Sequence, residues 1–278
     1  MIVNYDCYAT ILEYNQVVMS ETILKPLTPA EQDERYLPML PAIEPVLFAQ
    51  YDKKLPYHAA EHAIDVRDRC VDNREMLIAR GVKELPGLFV TIMTADGHDA
   101  GTMAFFRGRD KGFDSAEAYA SFLTGDILEM CGVDSLTIKE IQSIQKPTKA
   151  GIKCQTWGEF NLCESDLFNT SQDYDDIFMP TKEKLRREYL LLKGEDLGED
   201  GYSDFSLRLL AVYNLVNLNF DRIGEVGEEF TRMKQAQAAN LQRLFTERVR
   251  SMAVNTGEQV LSFARKLGEP LVRLVGLD

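Results

Sequence analysis

The sequence predicts an all-α fold, a multi-helix bundle of roughly eight to ten helices, and two observations support this prediction. Apolar residues recur at three- and four-residue spacing along most of the chain, which is the period of helices that bury one face. No segment shows the sustained alternation of apolar and polar residues that a half-buried strand would require. The nine predicted helices span Pro41–Tyr51, Pro56–Arg80, Pro86–Ala95, Ser115–Met130, Leu136–Gln145, Thr181–Lys193, Asp204–Phe220, Glu225–Ala253 and Gly257–Val275.

Local signals mark where several of these helices begin and end. Pro56 stands where a first-turn proline belongs, and Gly81 follows Arg80 as a C-cap glycine would. The pair Asp114-Ser115 offers a capping start for the helix that follows it. The first forty residues contain a plausible helix start, TPAEQDE, but no other clear signal.

The clearest candidate boundary is the acidic, glycine-bearing segment GEDLGEDGYS at 194–203, which is typical of a loop or short linker. We therefore predict an N-terminal extension over residues 1–40, a helical core over 41–193, and C-terminal helices over 203–278 that pack on the same domain.

Composition and charge exclude several classes of function. The 31 Lys and Arg residues against 44 Asp and Glu residues give a net charge of −13, which argues against binding to long nucleic acid. The five cysteines are scattered without a CxxC pair, as expected of reduced thiols in a cytoplasmic protein. The longest tempting apolar stretch, Leu88–Ala95, is far too short to span a membrane, so no membrane partner is expected. The sequence does not indicate an oligomeric state.

The three histidines of the chain carry the strongest functional signal. His58 and His62 stand in HAAEH, and on the predicted Pro56–Arg80 helix their i, i+4 spacing would place both rings on one face, about 6 Å apart at Cβ. The next helix, Pro86–Ala95, is apolar nearly all round and should be buried, and His98 follows its end as part of an HD pair. A single core histidine is usually structural, but three histidines in this arrangement favour a common site.

These residues resemble a known family, the HD-domain metal-dependent phosphohydrolases. The resemblance is carried by YHAAEHAIDV, by a buried helix that ends in HDAG, and by the downstream segments DSAEAYASFL, IQKPTKAG and ESDLFNT, and it spans roughly residues 57–169. The doubled first histidine resembles the branch that contains the class I cyclic-nucleotide phosphodiesterases.

The resemblance implies a role for each motif residue. It implies that His62, His98 and Asp99 are metal ligands, that Asp166 of ESDLFNT is the fourth, and that His58 is the catalytic histidine. Imidazoles and carboxylates together bind many divalent ions, so we expect manganese or iron, with zinc or magnesium as alternatives. The number of ions, one or two, stays open.

Alternatives remain for the fourth ligand and for the motif itself. Three nearby acids could replace Asp166, although each has the ordinary explanation of a loop acid or helix cap: Asp173, Asp175 and Asp176. HAAEH also fits the H-x-x-E-H pattern of zinc metallopeptidases, with Glu61 as base and Glu140 as a conceivable ligand. A further alternative is a non-catalytic scaffold that keeps the site to bind a nucleotide or a partner.

The expected substrate is a small phosphate ester, and the resemblance favours a phosphodiester such as a cyclic nucleotide over a monoester. Gln242 and Phe245 in QRLF resemble the glutamine and phenylalanine that hold the purine in cyclic-nucleotide phosphodiesterases. The candidate phosphate-binding cations near the motifs are Arg107, Arg109, Lys111, Lys146 and Lys149.

Overall fold

A computed structural model describes residues 25–108, 112–149, 151–218, 228–252 and 256–274, with the backbone alone at 213–218 and 229. These residues are predominantly helical and include no β-strand, which confirms the all-α prediction. The α-helices are α1 Pro29–Tyr36, α2 Leu40–Phe48, α3 Ala60–Ala79, α4 Leu88–Gly97, α5 Thr102–Phe106, α6 Ala116–Met130, α7 Ser135–Gln145, α8 Trp157–Asp166, α9 Met179–Lys193, α10 Gly198–Leu218, α11 Glu228–Ser251, α12 Gly257–Leu267 and α13 Glu269–Leu274.

The chain forms two compact units that interleave along the sequence. The first consists of residues up to 54, 58–75 and 84–146, and the second consists of 55–57, 76–83 and 147 onwards. The predicted division at residues 40, 193 and 203 stays a prediction, and residues 1–24 of the predicted extension lie outside the described residues.

In the first unit, the apolar helix α4 packs against α1, α2, α6 and α7. Its residues Phe89, Val90 and Met93 are fully buried, as the nearly continuous apolar sequence of this helix predicts. Tyr36 at the end of α1 is also buried, with its ring centroid 5.1 Å from that of Phe89. The first unit is therefore built around the helix that leads to the His98-Asp99 pair.

The second unit has a separate apolar core formed mainly by α10, α11, α12 and α13. Leu207 of α10, Leu244 of α11 and Phe263 of α12 belong to this core. An aromatic contact joins α11 to α8, where the ring centroid of Phe160 lies 5.1 Å from that of Phe230 on α11. The last residue of α8 is Asp166.

Several helix boundaries differ from the predicted ones. The predicted Pro56–Arg80 helix begins only at Ala60, because the first helical amides, those of His62 and Ala63, both bond to the carbonyl of Ala59. Ahead of it, the Tyr57 N–H donates to the buried Glu188 carboxylate at 3.0 Å. His58 thus lies in a bend two residues before the helix, so the prediction of two histidines on one helix face is wrong.

The predicted linker at 194–203 is also largely wrong. α10 begins at Gly198, and its first turn carries Glu199 and Asp200, which the positive end of the helix dipole stabilises. Only 195–197 separate it from Gly194, whose φ of 71° ends α9 in the left-handed conformation that glycine favours. The acidic composition therefore marks a helix start rather than a linker.

The predicted Gly257–Val275 helix is two helices, and α8 was not predicted at all. Gly268 separates α12 from α13 with a φ of 129°, a backbone conformation closed to most L side chains. α8 begins with a reciprocal capping box, in which Thr156 accepts from the Glu159 N–H and the Glu159 carboxylate accepts from the Thr156 N–H. The sequence TWGE carries this capping signature.

Among the described residues, no helix combines the length and the apolar character that crossing a membrane requires.

Asp134 caps α7 and joins it to α1, and this contact generates a stability prediction. Its carboxylate accepts hydrogen bonds from the amides of Leu136 and Thr137, from the Thr137 hydroxyl, and from the hydroxyl of Tyr36 at 2.9 Å. Burial tends to raise the pKa of Asp134, but these hydrogen bonds outweigh it and hold the pKa below its ordinary value.

Asp134→Ala should lower the free energy of unfolding by about 1–2 kcal/mol at pH 7, as expected for loss of an N-cap, measured by urea unfolding. Since the folded-state pKa is depressed, the contribution of Asp134 is present above the unfolded-state pKa of about 3.9. It is lost as the pH falls through the lower folded-state pKa. A difference between the two proteins that does not shrink on acidification would contradict this assignment.

Candidate metal centre

Three imidazoles converge on one carboxylate oxygen in the first unit. The Asp99 Oδ2 atom lies 2.9 Å from His98 Nε2, 3.6 Å from His58 Nε2 and 3.7 Å from His62 Nε2. The His62 ring lies between the other two, with centroid distances of 5.6 Å to His58 and 5.5 Å to His98. The HAAEH and HD motifs therefore meet in space.

Four of the predicted residues form a group that could hold a divalent metal ion. His62, His98, Asp99 and Asp166 each offer one ligand atom, and these atoms all lie within 4.8 Å of one another. Two neutral imidazoles and two carboxylates balance a divalent charge. These are the four residues that the resemblance implies as ligands, and metal binding by them stays a prediction.

Two of the distances between ligand atoms are close to those of donors bound to one ion. Two donors bound to one ion at about 2.1 Å lie about 3.0 Å apart at a right angle and about 3.4 Å apart at the tetrahedral angle. The distances from Asp99 Oδ2 to His98 Nε2 and His62 Nε2, 2.9 and 3.7 Å, are close to these values. Such a group does not by itself select among manganese, iron, zinc and magnesium.

A backbone contact selects the ligand nitrogen of His98. Its Nδ1 lies 2.6 Å from the carbonyl oxygen of Ala95, and because a carbonyl can only accept, Nδ1 carries the proton and donates it. In the neutral ring, the lone pair is then on Nε2, which faces Asp99. A histidine ligand oriented through its other nitrogen is a common feature of metal sites.

The end of α4 is buried, and side chains satisfy its carbonyl groups. Gln145 Nε2 donates a hydrogen bond to the Thr94 carbonyl at 3.1 Å. The Tyr51 hydroxyl donates to the Asp96 carbonyl at 2.7 Å, and the Thr124 hydroxyl donates to the Gly97 carbonyl at 3.1 Å. The last four carbonyls of a helix have no partner within the helix, so a buried helix end needs such donors. We call these three side chains, Tyr51, Thr124 and Gln145, the α4 cradle.

The α4 cradle fixes the position of the HD pair. The Thr102 hydroxyl extends the same pattern by donating to the Asp99 carbonyl at 2.8 Å. His98 and Asp99 follow the last residue of α4, where the negative end of the helix dipole favours a nearby cation. Sequence analysis missed the cradle residues because each is a common polar residue on a different element.

Exposure distinguishes His58 from the two other histidines. The exposed fraction of the side chain is 0% for His98, 6% for His62 and 25% for His58. The two histidines implied as ligands are thus the buried ones. His58 can be reached from solvent while its Nε2 stays within 3.6 Å of Asp99.

Asp96, which the sequence analysis did not single out, is a buried acid on α4. Its side chain is fully buried, and its Oδ1 atom lies 3.9 Å from the Arg67 guanidinium. Burial raises the pKa of Asp96 to about 7, although Arg67 acts in the opposite direction. An acid within an otherwise apolar helix, TIMTADG, was the signal that could have identified it.

Two of the alternative fourth ligands have other structural roles. Asp173 caps the turn that begins at Tyr174 and accepts from the amides of Asp175 and Asp176. Asp175 also pairs with Arg243 at 2.8 Å. The metal-binding group includes none of these three acids.

The residues required by the metallopeptidase alternative are not in this group either. Glu61 is exposed in the first turn of α3. Glu140 accepts a hydrogen bond from Gln32 at 2.8 Å. The HAAEH histidines instead lie beside the HD pair. The metallopeptidase alternative gives the HD pair no role.

The candidate substrate-binding residues have varied surroundings, and their predicted roles stay predictions. Arg107 is half exposed with Asp52 at 3.7 Å, Lys146 is exposed, and Lys149 is partly buried. Gln242 donates to the Leu274 carbonyl at 2.8 Å, and its neighbour Phe245 is buried in the core of the second unit. Arg109 and Lys111 lie outside the described residues.

Gly97 tests the importance of the close packing behind the HD pair. A Cβ atom at Gly97 would lie 2.2 Å from Thr124 Oγ1 and 2.7 Å from Thr124 Cγ2. Gly97→Ala should lower the free energy of unfolding by about 1–3 kcal/mol, the range for overpacked cores, and should weaken metal binding by displacing His98. Urea unfolding and metal titration measure the two effects.

Two controls accompany this experiment. Gly97→Ala combined with Thr124→Ala should cost less than the sum of the single changes, because the second substitution makes room for the first. Gly257→Ala, where nothing lies within 4 Å of the added Cβ, should leave stability and metal binding nearly unchanged. Additive effects in the double variant would show that the contact does not constrain the site.

Comparisons with known proteins do not identify a family. No protein-family model matches the sequence, and no match was found among curated proteins or solved structures. What the structure establishes is an all-helical chain with a histidine and aspartate group that could bind metal, which is loosely compatible with an HD domain.

Proposed function

We propose that this chain is a metal-dependent hydrolase of small phosphate esters. The observation that supports the proposal most directly is the grouping of His62, His98, Asp99 and Asp166 with a fifth polar residue, His58, beside Asp99. A structural histidine cluster would not require two carboxylates within reach of two imidazoles. The group has the composition of a hydrolytic metal site.

A divalent ion at this group would lower the pKa of a bound water and so supply a hydroxide nucleophile at neutral pH. His58 then has the remaining chemical task, which is to protonate the leaving oxygen as the bond from phosphorus to that oxygen breaks. Its exposure and its distance of 3.6 Å from Asp99 suit a group that contacts both substrate and site.

The proposed substrate is compact, and a phosphodiester such as a cyclic nucleotide is favoured over a monoester. The doubled histidine motif supports this choice through its resemblance to the cyclic-nucleotide phosphodiesterases. A net charge of −13 disfavours long polyanions, which need an extended basic track. Three cations among the residues that the structure describes are proposed to bind a single phosphate group: Arg107, Lys146 and Lys149.

The metal ligands are tested by replacing Asp166. Asp166→Ala should reduce bound manganese or iron at least tenfold, because it removes one of two carboxylates that balance the ionic charge. Metal content after dialysis, measured by elemental analysis, is the readout. Asp173→Ala is the matched control, since Asp173 caps a turn in the same region but is outside the group. Full metal content in Asp166→Ala, equal to that of Asp173→Ala, would show that Asp166 is not a ligand.

The activity is tested on a substrate panel with manganese, iron, zinc and magnesium in turn. The panel comprises cyclic mononucleotides, cyclic dinucleotides, nucleoside mono- and triphosphates, and an aryl phosphodiester. We expect turnover of a nucleotide phosphodiester that disappears when the metal is chelated. Tight binding of metal and a nucleotide without turnover would instead support a non-catalytic scaffold.

His58→Ala should lower the rate on the nucleotide substrate by about 10²- to 10⁴-fold, the usual contribution of general acid catalysis, while metal content stays unchanged. The aryl phosphodiester is the internal control, because its leaving group departs without a proton and should lose far less. An equal loss on both substrates would show that His58 is not the acid. Undiminished activity on both would make it structural.

A further inference from the structure

Helix α11 presents three polar side chains to the chain segments on both sides of Asp166. Lys234, Gln237 and Asn240 are spaced three residues apart, which places them along one side of the helix. All three contact the end of α8 or the turn that follows it, within the second unit. We call this set the α11 ladder.

The first contact of the α11 ladder lies two residues before Asp166. Lys234 Nζ is 2.5 Å from Glu164 Oε1, and both side chains are fully buried. Lys234 Nζ also donates a hydrogen bond to Gln237 Oε1 at 2.9 Å. Burying two charges costs free energy, which is offset only when the charges are close and their remaining hydrogen-bonding groups are satisfied. The geometry of this pair therefore tolerates little displacement of α8 against α11.

The other contacts lie just after Asp166. Gln237 Nε2 donates to the Leu167 carbonyl at 3.4 Å, and Asn240 Nδ2 donates to the carbonyls of Thr170 and Gln172 at 2.9 and 2.7 Å. These carbonyls belong to or flank the 3₁₀ turn Phe168–Ser171. The ends of helices readily fray, and here the turn beyond the helix end is held by side-chain donors.

We infer that the α11 ladder positions Asp166 for metal binding. Glu164 is held on one side of Asp166, and the carbonyls of Leu167, Thr170 and Gln172 are held on the other, so the Asp166 backbone is fixed from both directions. Lys234, Gln237 and Asn240 are therefore positioning residues, which set metal affinity without touching the ion. This inference rests on the proposed metal function of Asp166.

The experiment uses Asn240 because its side chain is only partly buried and its loss should not unfold the chain. Asn240→Ala removes both donors, and Asn240→Asp replaces them with an acceptor of the same shape. The affinity for Mn²⁺ is measured by calorimetric titration of the full chain, and hydrogen exchange of residues 164–172 is measured without metal. Gln235→Ala is the control, since Gln235 is exposed on the same helix.

We expect both Asn240 variants to bind Mn²⁺ about 10- to 100-fold more weakly, the usual effect of changing a residue behind a metal ligand. In both variants, the amides of residues 167–172 should exchange faster, whereas the melting temperature of the metal-free protein should change little. The control Gln235→Ala should change neither Mn²⁺ affinity nor hydrogen exchange. Unchanged Mn²⁺ affinity in both variants, or weakening only in proportion to lost stability, would overturn the inference.

Failure of the proposed function can be distinguished from failure of the inference about the α11 ladder. If the unmodified chain binds Mn²⁺ but hydrolyses no phosphate ester, the hydrolase proposal fails, and the Asn240 variants still decide the role of the ladder. If the unmodified chain binds no Mn²⁺, both proposals fail, and this is visible before any variant is made.

Discussion

The buried end of α4 is the constraint on which the candidate site depends. A helix can bring a metal-binding pair into a protein interior only if its last carbonyl groups find donors there, since water cannot supply them. Tyr51, Thr124 and Gln145 supply these donors from the segment after α2, from α6 and from α7. These contacts hold the end of α4 among the elements packed around it, and the position of His98 follows from them.

The sequence was sufficient to predict the helical class and the meeting of the histidine motifs. Apolar periodicity identified α4 as a buried helix, and a buried helix that ends in HD must place that pair inside the protein. The distances from Asp99 to His62 and His98 agree with this expectation. Apolar periodicity was therefore informative, because local geometry determines it. The i, i+4 spacing of His58 and His62 was informative about a common site but not about the helix, which begins after His58.

The sequence was insufficient where long-range contacts decide the local structure. Just ahead of α3, the amide of Tyr57 bonds to Glu188 from 131 residues away, and no local signal reports that contact. The roles of Thr124 and Gln145 depend likewise on carbonyl groups of a distant helix. By contrast, α8 did carry a local signal, the capping box of Thr156 and Glu159, but its weak apolar periodicity concealed the helix.

The placement of His58 ahead of α3 gives His58 and His62 different backbone surroundings. His62 sits within the first turn of the helix, where backbone hydrogen bonds restrict its torsion angles. His58 is joined to that turn through Ala59, whose carbonyl accepts the first two helical amides, and His58 itself precedes the helix. A residue ahead of a helix does not share the fixed i, i+4 geometry of the helical residues. Under the proposed function, the acid and the neighbouring ligand can therefore take relative orientations that two histidines one turn apart on a continuous helix could not.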